Sequence, residues 1–230
     1  MKNKLYLTSL LLICFTVSVF GQIEKEFNYR YELPASKSLD LKLKFAKLIE
    51  VQTWDEAQLG LTVIMKMDDE SRVRLHEMDV DQSGDRLSIE TGFDSDAIRD
   101  KREYSCWSCD EDARKECVCL SVRYRLFVPR GAELNLETIS GDIDVKSFEG
   151  PLKLESISGF IDVALGESRP VDLKIDSVTG EIYTDLDIPS GGDMKSFSKS
   201  LRVALNGGGQ PLSLETVSGD IFLRRNNSRR

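Results

Sequence analysis

Four near-identical phrases in the C-terminal half of this chain restrict what it can fold into. They read LNLETISGDIDV from Leu134, LKLESISGFIDV from Leu152, LKIDSVTGEIYT from Leu173 and LSLETVSGDIFL from Leu212. A worn fifth copy, GDMKSFSKSLRV from Gly192, fills the gap between the last two. The anchors are Gly141, Gly159, Gly180, Lys199 and Gly219, so the steps are 18, 21, 19 and 20 residues. Such a period marks an array in which no unit buries its apolar face alone.

Within each copy apolar residues alternate before a turn and again after it: Leu134 and Leu136, then Ile143 and Val145 in the first. Period-two alternation means strands with one face buried. The parity switches from even to odd at Ser/Thr-Gly-Asp/Glu, as a corner with one extra residue would require. Two strands and a corner make one coil, and identical phrases running in one direction favour parallel stacking over hairpins. The expectation is an all-β, single-domain β-solenoid (parallel β-helix-like) with about five C-terminal coils and an N-terminal β cap. The columns Thr138, Ser156, Ser177, Ser196, Thr216 and Ser140, Ser158, Thr179, Ser198, Ser218 flank an apolar one, Ile139, Ile157, Val178, Phe197, Val217. Hydroxyls so stacked are expected to hydrogen-bond along the column.

The first residues stand apart. Lys2 and Lys4 precede an apolar run of 16 residues from Leu5 to Phe20, ending Val19-Phe20-Gly21. This predicts a secretory signal peptide over residues 1–21, cleaved before Gln22, because the run is short for a membrane span. Ile13 before Cys14 does not suit a lipoprotein anchor. Cleavage removes two of 31 basic side chains, leaving 29 against 39 acidic, a net charge of −10. Such a chain repels nucleic acid and anionic membrane surfaces. The basic end, Arg224, Arg225, Arg229 and Arg230, is read as blunting the open edge of the last coil, with docking of an acidic partner or glycan as the alternative.

The mature chain divides into an N-terminal β portion over 22–91, a cysteine-containing surface excursion over 92–116, a re-entry strand with the repeats over 117–225, and a basic tail over 226–230. In the first part Leu48-Ile49-Glu50-Val51 lies where Asp142-Ile143-Asp144-Val145 would fall, as in a coil with a bulge. Trp54 is expected as a lid over the start of the core. Met78 and Val80, the Ser83-Gly84-Asp85 turn, then Leu87 and Ile89 read as a hairpin. The lone histidine, His76, is expected in a solvated loop.

Four cysteines remain after cleavage: Cys106, Cys109, Cys117 and Cys119. In an exported chain an even cluster reads first as disulfides, with a nested hairpin joining Cys106 to Cys119 and Cys109 to Cys117. A four-thiolate zinc site has compatible spacing but needs reduced thiols. A redox-active Cys106-Trp107-Ser108-Cys109 lacks the strand-to-helix context of thioredoxin-type motifs. All three readings stay open.

No nucleophile elbow, zinc-protease helix, phosphate loop or dinucleotide fingerprint is present. The enzyme option is a glycan-cleaving solenoid with carboxylates on adjacent coils as acid and base. Its candidates are the column Glu137, Glu155, Asp176, Glu215 and a second column, Asp142, Glu181, Asp220. The structural alternative makes them solvent-facing strand and corner residues. Calcium is a further use, but the nonapeptide pattern of calcium-binding β-rolls is absent. No catalytic, cofactor or metal residue is assigned, and no cofactor is expected.

Residues 122–132, VRYRLFVPRGA, running into the TISGDIDV-type phrases, together with the earlier Val51-Gln52-Thr53-Trp54-Asp55 turn, resemble a family of bacterial exported domains of unknown function labelled putative adhesins. The resemblance covers most of residues 38–225; the cysteine excursion and Lys199 depart from it. It implies a solenoid-like exported scaffold and carries no catalytic residues across. The expected function is a non-enzymatic scaffold or recognition protein of the cell envelope, periplasmic or on the cell surface. Its partner is a protein or glycan, and no transmembrane segment follows cleavage. The alternatives are a glycan-binding or glycan-cleaving solenoid and an envelope-stress or signalling accessory. Phe160 is the corner residue singled out as a contact, against a reading in which it folds over Leu165 of its own coil. The disulfide reading has a direct check: the mature protein, denatured without reductant, should show no reactive thiol. Four reactive thiols with bound zinc would reverse it.

Overall fold

A computed structural model describes residues 23–94, 104–106, 117–188 and 199–226. The predicted leader lies outside them. Among the described residues the chain is all-β, with sixteen strands joined in one mixed sheet that does not close, and one short 3-10 turn, Glu70–Leu75. The strands used below are β1 (Ile23–Glu32), β2 (Ser38–Leu43), β3 (Phe45–Trp54), β4 (Gln58–Met67), β5 (His76–Asp81), β6 (Arg86–Phe93), β7 (Tyr104–Cys106) and β8 (Cys117–Pro129). The repeats follow as β9 (Glu133–Lys146), β10 (Leu152–Ser158), β11 (Ile161–Leu165), β12 (Val171–Ser177), β13 (Ile182–Thr184), β14 (Lys199–Leu205), β15 (Gln210–Ser218) and β16 (Ile221–Arg225).

Four of the phrases pair in parallel and in register on both sides of their corners. Before the glycine, Leu134 lies opposite Leu152, Leu152 opposite Leu212, and Leu212 opposite Leu173. After it, Ile143 pairs with Ile161, Ile161 with Ile221 and Ile221 with Ile182. The inward residues of these rungs, from Leu134 and Ile143 to Leu214 and Leu223, are no more than 2% exposed, save Ile182 at the end of the array, which is partly buried. The order is not sequential: the copy starting at Leu212 sits between those starting at Leu152 and Leu173.

The corners explain why glycine is needed. Gly141, Gly159 and Gly219 have φ of 135°, 124° and 151°, which L side chains rarely adopt. They also touch. A Cβ on Gly159 would stand 2.6 Å from the carbonyl carbon of Gly141, and one on Gly219 2.7 Å from that of Gly159. A Cβ on Gly180 would run into the carbonyl of Gly219. Lys199 cannot enter such a column. The worn copy is therefore not a coil with a different corner: β14 runs antiparallel along β12, with Lys199 opposite Ser177 and Leu205 opposite Val171. Its Ser196, Phe197 and Ser198 lie outside the described residues.

The N-terminal portion repeats the scheme once. Leu39 pairs with Leu134 and Ile49 with Ile143, the register shifting between Phe45 and Leu48, so the bulge falls where the sequence places it. Strand β6 lies parallel to β2 and β8 parallel to β3, while β4 and β1 add antiparallel beyond β8. The predicted hairpin is β5–β6, with Val80 opposite Ile89. Trp54 does not lid the core. It lies on the outward side of the sheet over Gly60, 5.3 Å from the Phe127 ring, with Arg30 5.1 Å above it, and its indole N–H donates to the Gln58 carbonyl at 2.8 Å.

Among the described residues the stacked hydroxyls do not bond to one another. Thr138 and Ser177 donate to carbonyls of their own corners, Ser140 and Gly180, at 3.1 and 3.2 Å. Ser156 Oγ and Thr216 Oγ1 are buried without a partner. Rungs about 4.8 Å apart hold like rotamers too far apart for an O–H···O bond of about 2.8 Å. Gly159→Ala should cost about 2–4 kcal/mol in urea unfolding, since strain and a backbone clash combine. Gly84→Ala, where the added methyl meets nothing within 4 Å, should cost under about 0.5 kcal/mol.

Candidate functional site

The corner column carries the protein's most unusual surface. Each phrase buries the residues seven, five and three places before its glycine, so Ile139, two places before Gly141, must point outward, and its equivalents do the same. Among the described residues the exposed large hydrophobics are Ile139, Ile157, Val178, Val217, Phe160 and Tyr183. All six line the same glycine corner. The first four form a ladder on one side of it, in the spatial order Ile139, Ile157, Val217, Val178. Phe160 and Tyr183 flank the other side, bridged by Phe222. The Phe160 ring meets Phe222 edge-on at 6.1 Å, and Tyr183 stacks on Phe222 at 5.1 Å and 11°. Phe160 thus turns to the neighbouring strand, not onto buried Leu165. The sequence reading found Phe160 but treated the aliphatic column only as part of the stack; strand parity is the signal that places it outside.

Carboxylates sit on the corner between the two apolar strips. Asp142 Oδ1 accepts the Phe160 backbone N–H at 3.2 Å, and Asp220 Oδ1 accepts that of Glu181 at 2.8 Å. Each therefore ties its own rung to the next. Burial pushes the Asp142 carboxyl above its ordinary value, against the opposing Phe160 hydrogen bond. A groove of about 320 Å³ runs beside this corner, lined by Phe45, Lys47, Gly141, Asp142 and Gly159. A second, of about 360 Å³, lies beyond the ladder among Lys42, Lys44, Glu137, Ile139 and Ile157.

The other acidic column is in register as Glu137, Glu155, Glu215, Asp176. Lysines interleave it: Lys153 reaches Glu155 at 2.7 Å, and Lys174 reaches Glu215 at 2.6 Å and Asp176 at 3.1 Å. Burial alone would raise Glu215 and Asp176, yet hydrogen bonds, from Lys174 and Ser213 to the first and from Ser200 and Lys174 to the second, hold both below their ordinary values. Neither is tuned as a general acid, which needs a raised pKa. Among the described residues no three His, Cys, Asp or Glu side chains gather as a metal site.

Strand β7 runs parallel to β8, placing Cys106 opposite Cys119 and Tyr104 opposite Cys117. A nested hairpin would need antiparallel strands; Cys109 lies outside the described residues. Arg224 pairs with Asp162, and Arg225 with Glu167 and Asp187 at 2.9 and 2.8 Å. Their strand β16 lies between β11 and β13, so these arginines do not blunt an open edge. Arg229 and Arg230 lie outside the described residues.

His76 is not in a solvated loop. Its Nε2 bonds the Tyr124 hydroxyl at 2.7 Å, that hydroxyl donates to Thr91 Oγ1 at 3.1 Å, and Phe93 packs edge-on against the imidazole. Burial pushes His76 down to about 4 and raises Tyr124.

No protein-family model matches the chain, and no curated protein matches it. Among solved structures, a putative cell adhesion protein from Clostridium sporogenes is similar, with a TM-score of 0.53 and 12% identity. The match covers 89% of this chain and 100% of that one, and it shows a shared fold. A putative adhesin from Bacteroides fragilis matches with a TM-score of 0.32 and 11% identity over 87% of this chain and 97% of that one, too low to argue from.

A partly buried neutral histidine makes stability depend on pH. The unfolded chain takes up a proton below about 6.5 while the folded one resists until about 4, so stability is full above the first value and lost towards the second. Between pH 7 and 4 the protein should lose on the order of 3 kcal/mol more than its His76→Gln variant, measured by urea unfolding. Equal losses would contradict the burial of this ring.

Proposed function

We propose that the protein is a non-enzymatic, adhesin-like recognition scaffold of the cell envelope, exported to the periplasm or cell surface, whose contact surface is the apolar glycine corner. The reading rests on one observation: every exposed large hydrophobic side chain among the described residues lies on that corner. A contiguous apolar patch held in water costs solubility and is retained where a partner covers it. The parallel in-register rungs support a solenoid-like description, in which repetition turns one outward residue per unit into a continuous strip. The shared fold with a putative cell adhesion protein is compatible with this use. The acidic column with its interleaved lysines fits a structural role better than acid–base work.

Fractionation of native cells should recover the protein outside the cytoplasm, and purified protein should bind the envelope fraction of those cells. The double variant Ile157→Asp/Val217→Asp should bind at least about tenfold more weakly, with an unchanged circular dichroism spectrum. Cytoplasmic recovery, or unaltered binding by the variant, would contradict the proposal.

A further inference from the structure

Resting on that reading of the corner, we propose that its partner is a cationic amphipathic helix, lying along the ladder with apolar residues on Ile139, Ile157, Val217 and Val178 and basic residues over Asp142 and Asp220. Geometry supports the helix. The ladder offers one aliphatic side chain per strand, about 4.8 Å apart, so four rungs extend over about 14 Å. A helix laid across the strands presents apolar i, i+3, i+4 and i+7 residues once per turn of about 5.4 Å. The two spacings differ by about 0.6 Å per step, so two to three turns stay in contact along the whole ladder. At its Ile139–Ile157 end the ridge stands between two grooves, which receive the flanks of a rounded ligand there.

Charge supports the cation. The corner carboxylates Asp142 and Asp220 use one oxygen each on a backbone N–H, and among the described residues neither is ion-paired. The outer strand carboxylates are matched by Lys153, Lys174 and Arg202, so the carboxylates left for a ligand stand on the corner, Asp142 with Lys47 in the groove beside it and Asp220 further along. A cation arriving there gains an ion pair beside apolar surface, where screening is weakest.

The same observations disfavour other occupants. A sugar is gripped by the open faces of aromatic rings, whereas the ladder of Ile139, Ile157, Val217 and Val178 is aliphatic throughout. An anionic bilayer is repelled by the corner acids and by a chain of formal net charge −8.

The test uses full-length protein and three fluorescent peptides followed by anisotropy: an amphipathic Leu/Lys helix, the same helix with Glu replacing Lys, and a Leu/Lys version broken by central proline. Zwitterionic and anionic phospholipid vesicles form a fourth arm. The Leu/Lys helix should bind best, more weakly as salt rises, with the Glu and proline versions at least about tenfold weaker. Asp142→Asn/Asp220→Asn keeps both backbone hydrogen-bond acceptors and removes the charge, and should weaken the Leu/Lys helix about fivefold. Undiminished binding by that variant, equal binding of the Glu or proline peptides, no peptide binding, or preference for vesicles would each overturn the cationic helix. Loss of the Leu/Lys complex in Ile157→Asp/Val217→Asp, with the melting temperature held, would keep the apolar corner as the contact even if the charge proposal fails. Retention of binding by that apolar variant would sink both.

Discussion

Backbone meets backbone at the glycine corner, and the rest of the fold depends on that approach. Ala46, Gly141, Gly159, Gly219 and Gly180 form one column in which each glycine leaves no room for a Cβ against the carbonyl of its neighbour. The close approach keeps successive rungs in the same register, so the aliphatic pairs on both sides fall into line. The corner aspartates reinforce it, since Asp142 and Asp220 each bind the backbone of the following rung. Register in a sheet is a choice between two faces, and a slip of one residue would turn Leu134 and Leu136 outward.

The same constraint makes the surface. Where a rung is fixed at its glycine, the residue two places earlier must face water in every copy, whatever its side chain. Isoleucine and valine at that place become a straight apolar ridge, flanked across the corner by Phe160, Phe222 and Tyr183. Repetition thus converts a local sequence preference into a linear contact surface. The neighbouring acidic column arises by the same repetition, but Lys153 beside Glu155, Lys174 beside Asp176 and Glu215, and Lys42 near Glu137 neutralise it.

Much of this was legible in the sequence, because alternation and parity are local. The inward leucines and isoleucines, the parity switch, the N-terminal bulge and the β5–β6 hairpin all follow from neighbouring residues. The order of the rungs does not. Copies so alike offer nearly equal pairing surfaces, so which one lies beside Leu152 is decided by the route of the connecting chain. Lys199 carried a readable warning, since a column of touching glycines excludes it, yet only the geometry of the column reveals how strict that exclusion is. His76 and Trp54 were misplaced for a different reason: their surroundings, Tyr124 and Thr91 for one, Gly60 and Phe127 for the other, come from distant segments. The candidate site was half legible. Phe160 stood out as an apolar residue among acids, while the outward aliphatic ladder was hidden by its resemblance to core.

Backbone nuclear Overhauser effects between strands would probe the stacking most directly. Parallel in-register rungs in the observed order require contacts from the Leu154 strand to Leu136 on one side and Leu214 on the other, with Ile175 reached in parallel from Leu214 and in antiparallel from Leu201. Contacts joining Leu154 directly to Ile175, or antiparallel patterns among these four copies, would contradict the glycine column and the contact ridge that it creates.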